Sequence, residues 1–309
     1  MSSVLVTGAA GFIGSHTCDL LLAAGHTVVG IDNFRTGFRG NLGLALSNRH
    51  FSLVEADVCS SGTLGRIAAE TKPDALIHLA GLVSVQESLQ DPELNFALNL
   101  RGTHLVAEAA RLTGIARVVF ASSAAVYGDA QTCPITEQME TRPISPYGAA
   151  KLASEALLLG HAAAFGFTAR CQRYFNVYGP RQDPRSLYSG VISIFCDTLR
   201  AGLAPTIFGD GEQTRDFIFV QDVARANVLA ATAPEIASGV ANICSGRATT
   251  LNQLATGLRT YFAGSRAPVH GAPKAADIRH SLGSPTVAAA AFGFTAEVPL
   301  SVGLATLMH

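Results

Sequence analysis

Val4-Leu5-Val6-Thr7-Gly8-Ala9-Ala10-Gly11-Phe12-Ile13-Gly14 decides how this chain folds. The apolar run at its start reads as a buried strand, and the periodic apolar stretch after Gly11 reads as a helix reaching about Ala24. Between them stands a Gly-x-x-Gly-x-x-Gly loop. Gly8 and Gly11 let the backbone turn tightly and approach a pyrophosphate, which would rest on the helix N-terminus. Gly14 lets that helix pack closely on the strand. A glycine triplet means little alone; a strand before it and a helix after it give it weight. The next strand, Thr27-Val28-Val29-Gly30-Ile31, ends at Asp32-Asn33, and Asp32 lies 18 residues past Gly14. An acid about 20 residues on hydrogen-bonds the adenosine ribose, and its charge repels a 2'-phosphate, so NAD is expected rather than NADP.

Strands and helices keep alternating beyond this unit. Residues 51–58 read as a third strand whose Asp57-Val58 would meet the adenine. Residues 75–81 read as a fourth, ending in Leu79-Ala80-Gly81, where a cofactor must pass close to the backbone. His78, inside that apolar run, reads as a core histidine rather than a catalyst. A helical stretch over 92–113 carries Asn99, facing either the sheet's C-terminal edge or solvent. A fifth strand, Val118-Val119-Phe120-Ala121, delivers Ser122 and Ser123 to the edge where an open α/β sheet presents its chemistry. Thr168–Tyr174 reads as a sixth strand.

The pattern predicts an α/β fold: a Rossmann-type doubly wound parallel sheet over residues 1–177, binding the dinucleotide. From 178 to 309 the alternation becomes irregular, as in a smaller mixed α/β substrate-binding lobe, with the chain around 216–245 returning to pack on the first domain. A polar turn over 209–213 leads into a strand, and Asp222-Val223 then starts a helix. Ala288 to Ala291 read as a helix end.

Ser145-Pro146-Tyr147-Gly148-Ala149-Ala150-Lys151 carries the chemistry. Proline at a first-turn position opens a helix, placing Tyr147 and Lys151 on one face. An ammonium one turn away favours the phenolate, so the expectation is a lowered tyrosine pKa and a proton exchanged with a substrate hydroxyl near neutral pH. Arg181 and Arg215 are candidates for pairing with phosphates.

Composition narrows the function. The 309 residues carry a formal net charge of −1 with 15% charged residues, which leaves no basic face for nucleic acid and no acidic tail. Thirty glycines and no tryptophan suit many tight strand–helix turns. No apolar run reaches the ~18 residues of a membrane span. Val4 starts a strand too early for a signal peptide, and six scattered cysteines without a Cys-x-x-Cys pair suit reduced thiols, so a cytoplasmic enzyme is expected. No metal site is expected.

Together, Thr7-Gly8-x-x-Gly11-x-x-Gly14, His78-Leu79-Ala80-Gly81, Ser122-Ser123-x-x-Val126-Tyr127-Gly128, Ser145-Pro146-Tyr147-x-x-x-Lys151, Arg173-Tyr174-Phe175-Asn176 and Gly209-Asp210-Gly211 through Arg215-Asp216 span nearly the whole chain. In combination they resemble the extended short-chain dehydrogenases/reductases, specifically the nucleotide-sugar 4-epimerases. Asp183-Pro184, Leu251-Asn252-Gln253-Leu254 and Asp277-Ile278-Arg279-His280-Ser281-Leu282 look most like the UDP-N-acetylglucosamine 4-epimerase branch. The resemblance implies Tyr147 as base and acid, Lys151 as ribose ligand and pKa modulator, and Ser123 as the hydroxyl bridging Tyr147 and the sugar O4. It implies a tightly bound NAD that takes the C4 hydride and returns it to the other face of a 4-keto sugar. Phe12, Ile13, Asn33, Leu79, Asn99, Ser122 and Tyr174 are implied as further cofactor contacts. Ser84, Asn176, Val191, Thr206, Phe208, Arg215, Lys274, Asp277 and Ser281 are implied as contacts to the UDP-sugar. A homodimer is implied through a four-helix bundle of the helices around 93–113 and 146–165, as is a role in polysaccharide biosynthesis.

Single positions weigh the rival chemistries. Related 4,6-dehydratases place Asp and Glu after the motif's serine or threonine, and UDP-glucuronate decarboxylases place Glu at the second of these positions. This chain has Ala124 and Ala125, which disfavours elimination. A dehydratase, a decarboxylase or a uronic-acid epimerase of the same fold is the alternative. Epimerases restricted to glucose and galactose carry a tyrosine where Ser281 stands; serine leaves room for an N-acetyl group. Where relatives read Arg-Glu-Gly-Asp, this chain has Lys274-Ala275-Ala276-Asp277, and lysine lacks arginine's bidentate grip on pyrophosphate.

Overall fold

The computed structural model describes residues 1–183, 190–262, 264–273 and 278–308. In chain order the strands are β1 (Ser3–Thr7), β2 (Thr27–Asp32), β3 (Phe51–Glu55), β4 (Ala75–His78), β5 (Arg117–Ser123), β6 (Thr168–Tyr174), β7 (Asn176–Tyr178), β8 (Thr206–Phe208), β9 (Thr214–Phe219), β10 (Gly239–Ile243), β11 (Ala248–Thr250) and β12 (Val269–Gly271). Seven of them form one sheet in the order β10-β6-β5-β4-β1-β2-β3, every neighbouring pair parallel. The direction of winding reverses between β1 and β4, and a doubly wound sheet opens its crevice at that point.

Each central strand is apolar on both faces because helices cover both. Val4, Val6, Val28, Ile77 and Val119 point into a core shared with the helices Phe12–Ala23, Val220–Thr232 and Thr286–Phe292. Their neighbours Leu5, Val29, Leu76, Val118 and Phe120 point into the opposite core, beneath Thr63–Thr71, Gly102–Thr113 and Pro146–Phe165. The period of two along a strand thus sorts adjacent side chains into two cores.

The chain re-enters this sheet late. The helix Val220–Thr232 lies beside Phe12–Ala23, where Asn227 Nδ2 donates to Thr17 Oγ1 at 3.2 Å, and β10 then pairs with β6. The remainder carries a three-stranded sheet, β11-β9-β7, and the pair β12-β8 around Tyr178, Phe195, Phe217, Phe219 and Leu254. Asp216 knits this region together: its buried carboxylate accepts from Ser245 N and Oγ, each at 2.7 Å, from Gly246 N at 3.0 Å and from Gly283 N at 3.2 Å.

Several boundaries differ from the pattern reading. β3 stops at Glu55, and Asp57 instead bends the chain by accepting the Cys59 N–H at 2.8 Å. The stretch over 92–113 is not one regular helix: Pro92–Asn95 passes into a π-helical turn, Phe96–Arg101, before Gly102–Thr113. The alanine tract is the interior of Thr286–Phe292 rather than a helix end.

The Pro146–Phe165 helix begins as the sequence predicts, with Ser145 Oγ accepting the Gly148 N–H at 3.1 Å and Pro146 in the first turn. A buried ion pair anchors its middle. Arg173 on β6 grips Glu155 with two hydrogen bonds, Nε to Oε1 at 2.9 Å and Nη2 to Oε2 at 2.7 Å. Its Nη1 donates to Tyr127 Oη at 2.9 Å, Tyr127 donates to Asn242 Oδ1 at 2.7 Å, and Ser122 Oγ donates to Glu155. Burial works against the Arg173 charge, but the Glu155 carboxylate prevails and raises its pKa. Removing one partner of such a pair strands the other, which costs about 3–5 kcal/mol. Glu155→Ala should lower the unfolding free energy by about that much in urea titrations, and Glu155→Leu with Arg173→Met should recover most of it. A single variant within about 1 kcal/mol of wild type would contradict this role.

Candidate active site

A crevice of about 580 Å³ opens at the C-terminal ends of β1, β2, β4 and β5. The three glycines at its floor serve three purposes. Gly8 takes a positive φ of 69°, and a Cβ there would meet Ala80 N at 2.8 Å. Gly11 caps the Phe12–Ala23 helix with no side-chain hydrogen bond. A Cβ on Gly14 would stand 2.0 Å from the Gly8 carbonyl oxygen. The first-turn amides of that helix therefore have no side-chain cap and no acidic neighbour, which suits an incoming pyrophosphate.

Asp32 sits at the exit of β2. Its Oδ2 accepts the Ala10 N–H and its Oδ1 the Phe34 N–H, both at 2.8 Å. Burial raises its pKa, while these two amides oppose the rise. Each oxygen retains lone pairs that can accept from ribose hydroxyls. The residues present fit NAD.

On the other side of the switch point, Thr7 Oγ1 accepts the Leu79 and Ala80 amides at 3.2 and 3.3 Å and bonds His78 Nδ1 at 2.8 Å. His78 stacks on Phe120. Burial, with the Lys151 charge adding to it, drives the His78 pKa down to about 3, so it is a neutral core histidine.

Ser123 ends β5, and its Oγ accepts the Ala125 N–H at 3.1 Å, starting the short helix Ala124–Tyr127. Tyr147 and Lys151 face it from the first turns of the Pro146–Phe165 helix, and all three line the crevice. The electrostatics depart from expectation. Lys151 Nζ donates to the Ala121 carbonyl at 2.9 Å and lies 5.8 Å from the centre of the Tyr147 ring. The ammonium thus faces a carbonyl and aromatic faces, and burial outweighs the hydrogen bond from Ser123 to leave the Tyr147 pKa raised, not lowered. Burial also brings Lys151 down to about 8, against an upward pull from Glu155.

All the cofactor contacts expected from the sequence line this crevice except Asn99. Asn99 is buried behind Gly81: its Nδ2 donates to Leu82 O and Asn95 Oδ1, and its Oδ1 stands 2.6 Å from where a Gly81 Cβ would be. Ser122 and Tyr174 reach the crevice with committed hydroxyls, the first on Glu155 and the second on Asn227 at 2.6 Å. Arg181 also lines it, paired with Asp19 at 2.8 Å.

Apart from Ser123 and Tyr147, the expected substrate contacts among the described residues stand outside these walls. Ser84 caps the helix Val85–Gln90 by accepting the Glu87 N–H. Asn176 donates to Asp216 O at 3.3 Å; Arg215 donates to Thr214 O and Ile278 O at 2.8 and 2.7 Å. Val191 opens the helix Val191–Arg200, Thr206 and Phe208 are exposed on β8, and the Ser281 amide donates to Thr214 O at 3.1 Å. Lys274, Asp277 and Pro184 lie outside the described residues.

The pattern reading missed the loop after β2. Arg35, Thr36, Gly37, Phe38 and Asn41 line the crevice, as does Val83. Gly37 was the available signal, since a Cβ there would stand 2.9 Å from Asp32 Oδ1.

Lys151 makes a testable link to stability. Between pH ~8 and ~10.4 the unfolded chain keeps a lysine proton that the folded protein has released, so this group's contribution to stability rises with pH across that window. Below pH 8 the full cost of the buried ammonium applies, on the order of 3 kcal/mol. In cofactor-free protein, the unfolding free energy of wild type minus that of Lys151→Met should climb from pH 7.5 to 10. A flat difference would contradict a buried lysine with a depressed pKa.

Comparison with known proteins agrees with this geometry. Residues 4–244 match the model of the NAD dependent epimerase/dehydratase family. A UDP-glucose 4-epimerase of Mycolicibacterium smegmatis is 40% identical over 302 residues, covering 97% of this chain and 96% of that protein. A UDP-glucose 4-epimerase from Thermotoga maritima, solved with UDP-glucose, superposes with a TM-score of 0.92 at 36% identity, covering 99% of this chain and 97% of that one. A UDP-N-acetylglucosamine 4-epimerase from Methanobrevibacter ruminantium, solved with UDP-N-acetylmuramic acid, gives a TM-score of 0.93 at 32% identity with the same coverage. This chain belongs to the NAD-dependent epimerase/dehydratase family, among the extended short-chain dehydrogenases/reductases, and its cofactor is NAD.

Proposed function

We propose that the protein is a UDP-sugar 4-epimerase that interconverts UDP-GlcNAc and UDP-GalNAc, with UDP-Glc and UDP-Gal as secondary substrates. The observation that carries this reading is the convergence of Ser123, Tyr147 and Lys151 on one wall of the crevice that holds the dinucleotide loop. The 4-epimerase relatives support the reaction type, and Ala124 and Ala125 support it further. These two residues follow Ser123 in the short helix Ala124–Tyr127, so no carboxylate stands there to remove water or carbon dioxide.

NAD, when bound, supplies a hydride acceptor that returns the hydride it takes. The protein's own groups handle the proton and the positioning. Tyr147 Oη takes the O4 proton as C4 is oxidised and gives it back as C4 is reduced. Ser123 Oγ holds O4 against Tyr147, sharing its bonds with the Ala125 N–H. Lys151 holds the nicotinamide ribose and supplies positive charge beneath the phenol. Burial raises the Tyr147 pKa in the cofactor-free site, so taking the O4 proton requires the phenolate, which positive charge in the loaded site would favour. Asn176, Arg215, Val191, Thr206, Phe208, Ser84, Lys274 and Asp277 are assigned to the UDP-sugar on the family pattern.

A homodimer in the cytoplasm, supplying activated amino sugar to polysaccharide biosynthesis, completes the reading. Phe96, Leu112 and Phe165, exposed apolar side chains on the helical segments of the expected bundle, support the dimer.

Tyr147→Phe should lower turnover of both UDP-sugar pairs by about 10²–10⁴-fold while NAD stays bound, measured by resolving the epimers chromatographically. Full exchange in that variant would overturn the assignment of the base. Ser281→Tyr should abolish turnover of the N-acetylated pair and spare the plain hexoses. Surviving acetylated turnover would remove Ser281 as the gate.

A further inference from the structure

We propose that Arg35 and Glu87 form a clasp that closes the cofactor crevice from above and slows the departure of NAD. The inference rests on the NAD-binding site described above and on the order of the strands. Arg35 belongs to the loop that leaves β2, and Glu87 to the short helix Val85–Gln90 that follows β4. In the sheet, β1 lies between β2 and β4. Their ion pair, Arg35 Nη2 with a Glu87 carboxylate oxygen, therefore crosses over the C-terminal end of β1, where the glycine loop sits. A dinucleotide lying along that crevice has adenosine on the β2 side and nicotinamide on the β5 side. Bound there, it would pass beneath this bridge.

The loop is built to aim Arg35. Phe34 adopts φ +55°, a left-handed conformation that is costly for a bulky side chain, and its ring packs against the core below. Asp32 Oδ1 accepts the Phe34 N–H at 2.8 Å and Asn33 Oδ1 accepts the Arg35 N–H at 3.1 Å. Two successive side chains thus turn the backbone outward at the ribose acid and direct the guanidinium along the crevice wall, which Arg35 lines. On the opposite side, Ser84 Oγ accepts the Glu87 N–H at 2.9 Å and fixes the first turn of the helix that presents the carboxylate. Glu87 is not itself a lining residue, so its effect on the cofactor runs through Arg35, and it is a positioning residue.

Side-chain exposures of 35% for Arg35 and 17% for Glu87 make this a partly solvated pair, strong enough to close and weak enough to open. Pairs of this kind are worth a fraction of a kilocalorie to about 1 kcal/mol, a factor of about two to five in a rate. Salt should screen it.

The test follows release of NAD from purified holoprotein diluted into a scavenging alcohol dehydrogenase with its alcohol, so that each freed NAD is read as reduced cofactor. Glu87→Gln should release NAD about two- to five-fold faster than wild type. Adding Glu87→Gln to Arg35→Gln should give no further acceleration, and raising the salt should speed wild type but not Glu87→Gln. The charge-swapped pair Arg35→Glu with Glu87→Arg should restore slow release, which also guards against a local folding defect in either single variant. A Glu87→Gln rate equal to wild type, or single-variant effects that multiply in the double variant, would overturn the clasp and leave the proposed epimerase intact. A wild-type protein that carries no NAD would overturn both.

Discussion

The crevice wall that carries Ser123, Tyr147 and Lys151 depends on the buried pairing of Arg173 with Glu155. Glu155 lies one turn beyond Lys151 and two beyond Tyr147 on the same helix, so locking it to β6 fixes the helix's rotation about its axis. A helix turned by one residue, about 100°, would carry the tyrosine off the crevice. The same carboxylate takes the Ser122 hydroxyl, so β5 and the helix are tied together one residue before Ser123. Through Tyr127 and Asn242 the network reaches β10. Four separate stretches of chain are therefore joined in one hydrogen-bonded network around this guanidinium, and the site inherits their rigidity.

That arrangement also accounts for the protonation states. Burying Tyr147 and Lys151 in one wall makes the charged form of each expensive, and the cofactor-free site resolves this by raising the phenol and lowering the amine. The four-residue spacing brings the ammonium over the aromatic ring, while its hydrogen bond goes to the Ala121 carbonyl near the end of β5. Proximity along a helix does not by itself make an acidic phenol. Whether burial or the neighbouring charge prevails depends on what else is within reach of that charge.

Much of the molecule was legible in its sequence because simple periodicities govern it. The glycine loop, the two-faced apolar strands and the Ser145-Pro146 helix start each follow from one local rule, and each appears where that rule puts it. The π-helical turn around Asn99 was not legible, nor was the bond of the Asn99 side chain to Leu82 O, a contact across 17 residues of chain. Nor was the loop after β2, where Arg35 pairs with Glu87, 52 positions away in the chain. Arg173 was visible only as part of a pattern; that it is bound to Glu155 rather than to a ligand needed the packed interior. The expected UDP-sugar contacts were legible only by likeness; of these, Asn176, Thr206, Phe208 and Arg215 lie on β7, β8 and β9, outside the walls of the dinucleotide crevice.

The most direct measurement is the fate of a deuterium label placed at C4 of UDP-GlcNAc and incubated with purified protein without added cofactor. The account predicts UDP-GalNAc with the label still at C4, because the hydride never leaves the closed crevice. Loss of the label to solvent during epimerisation would contradict it.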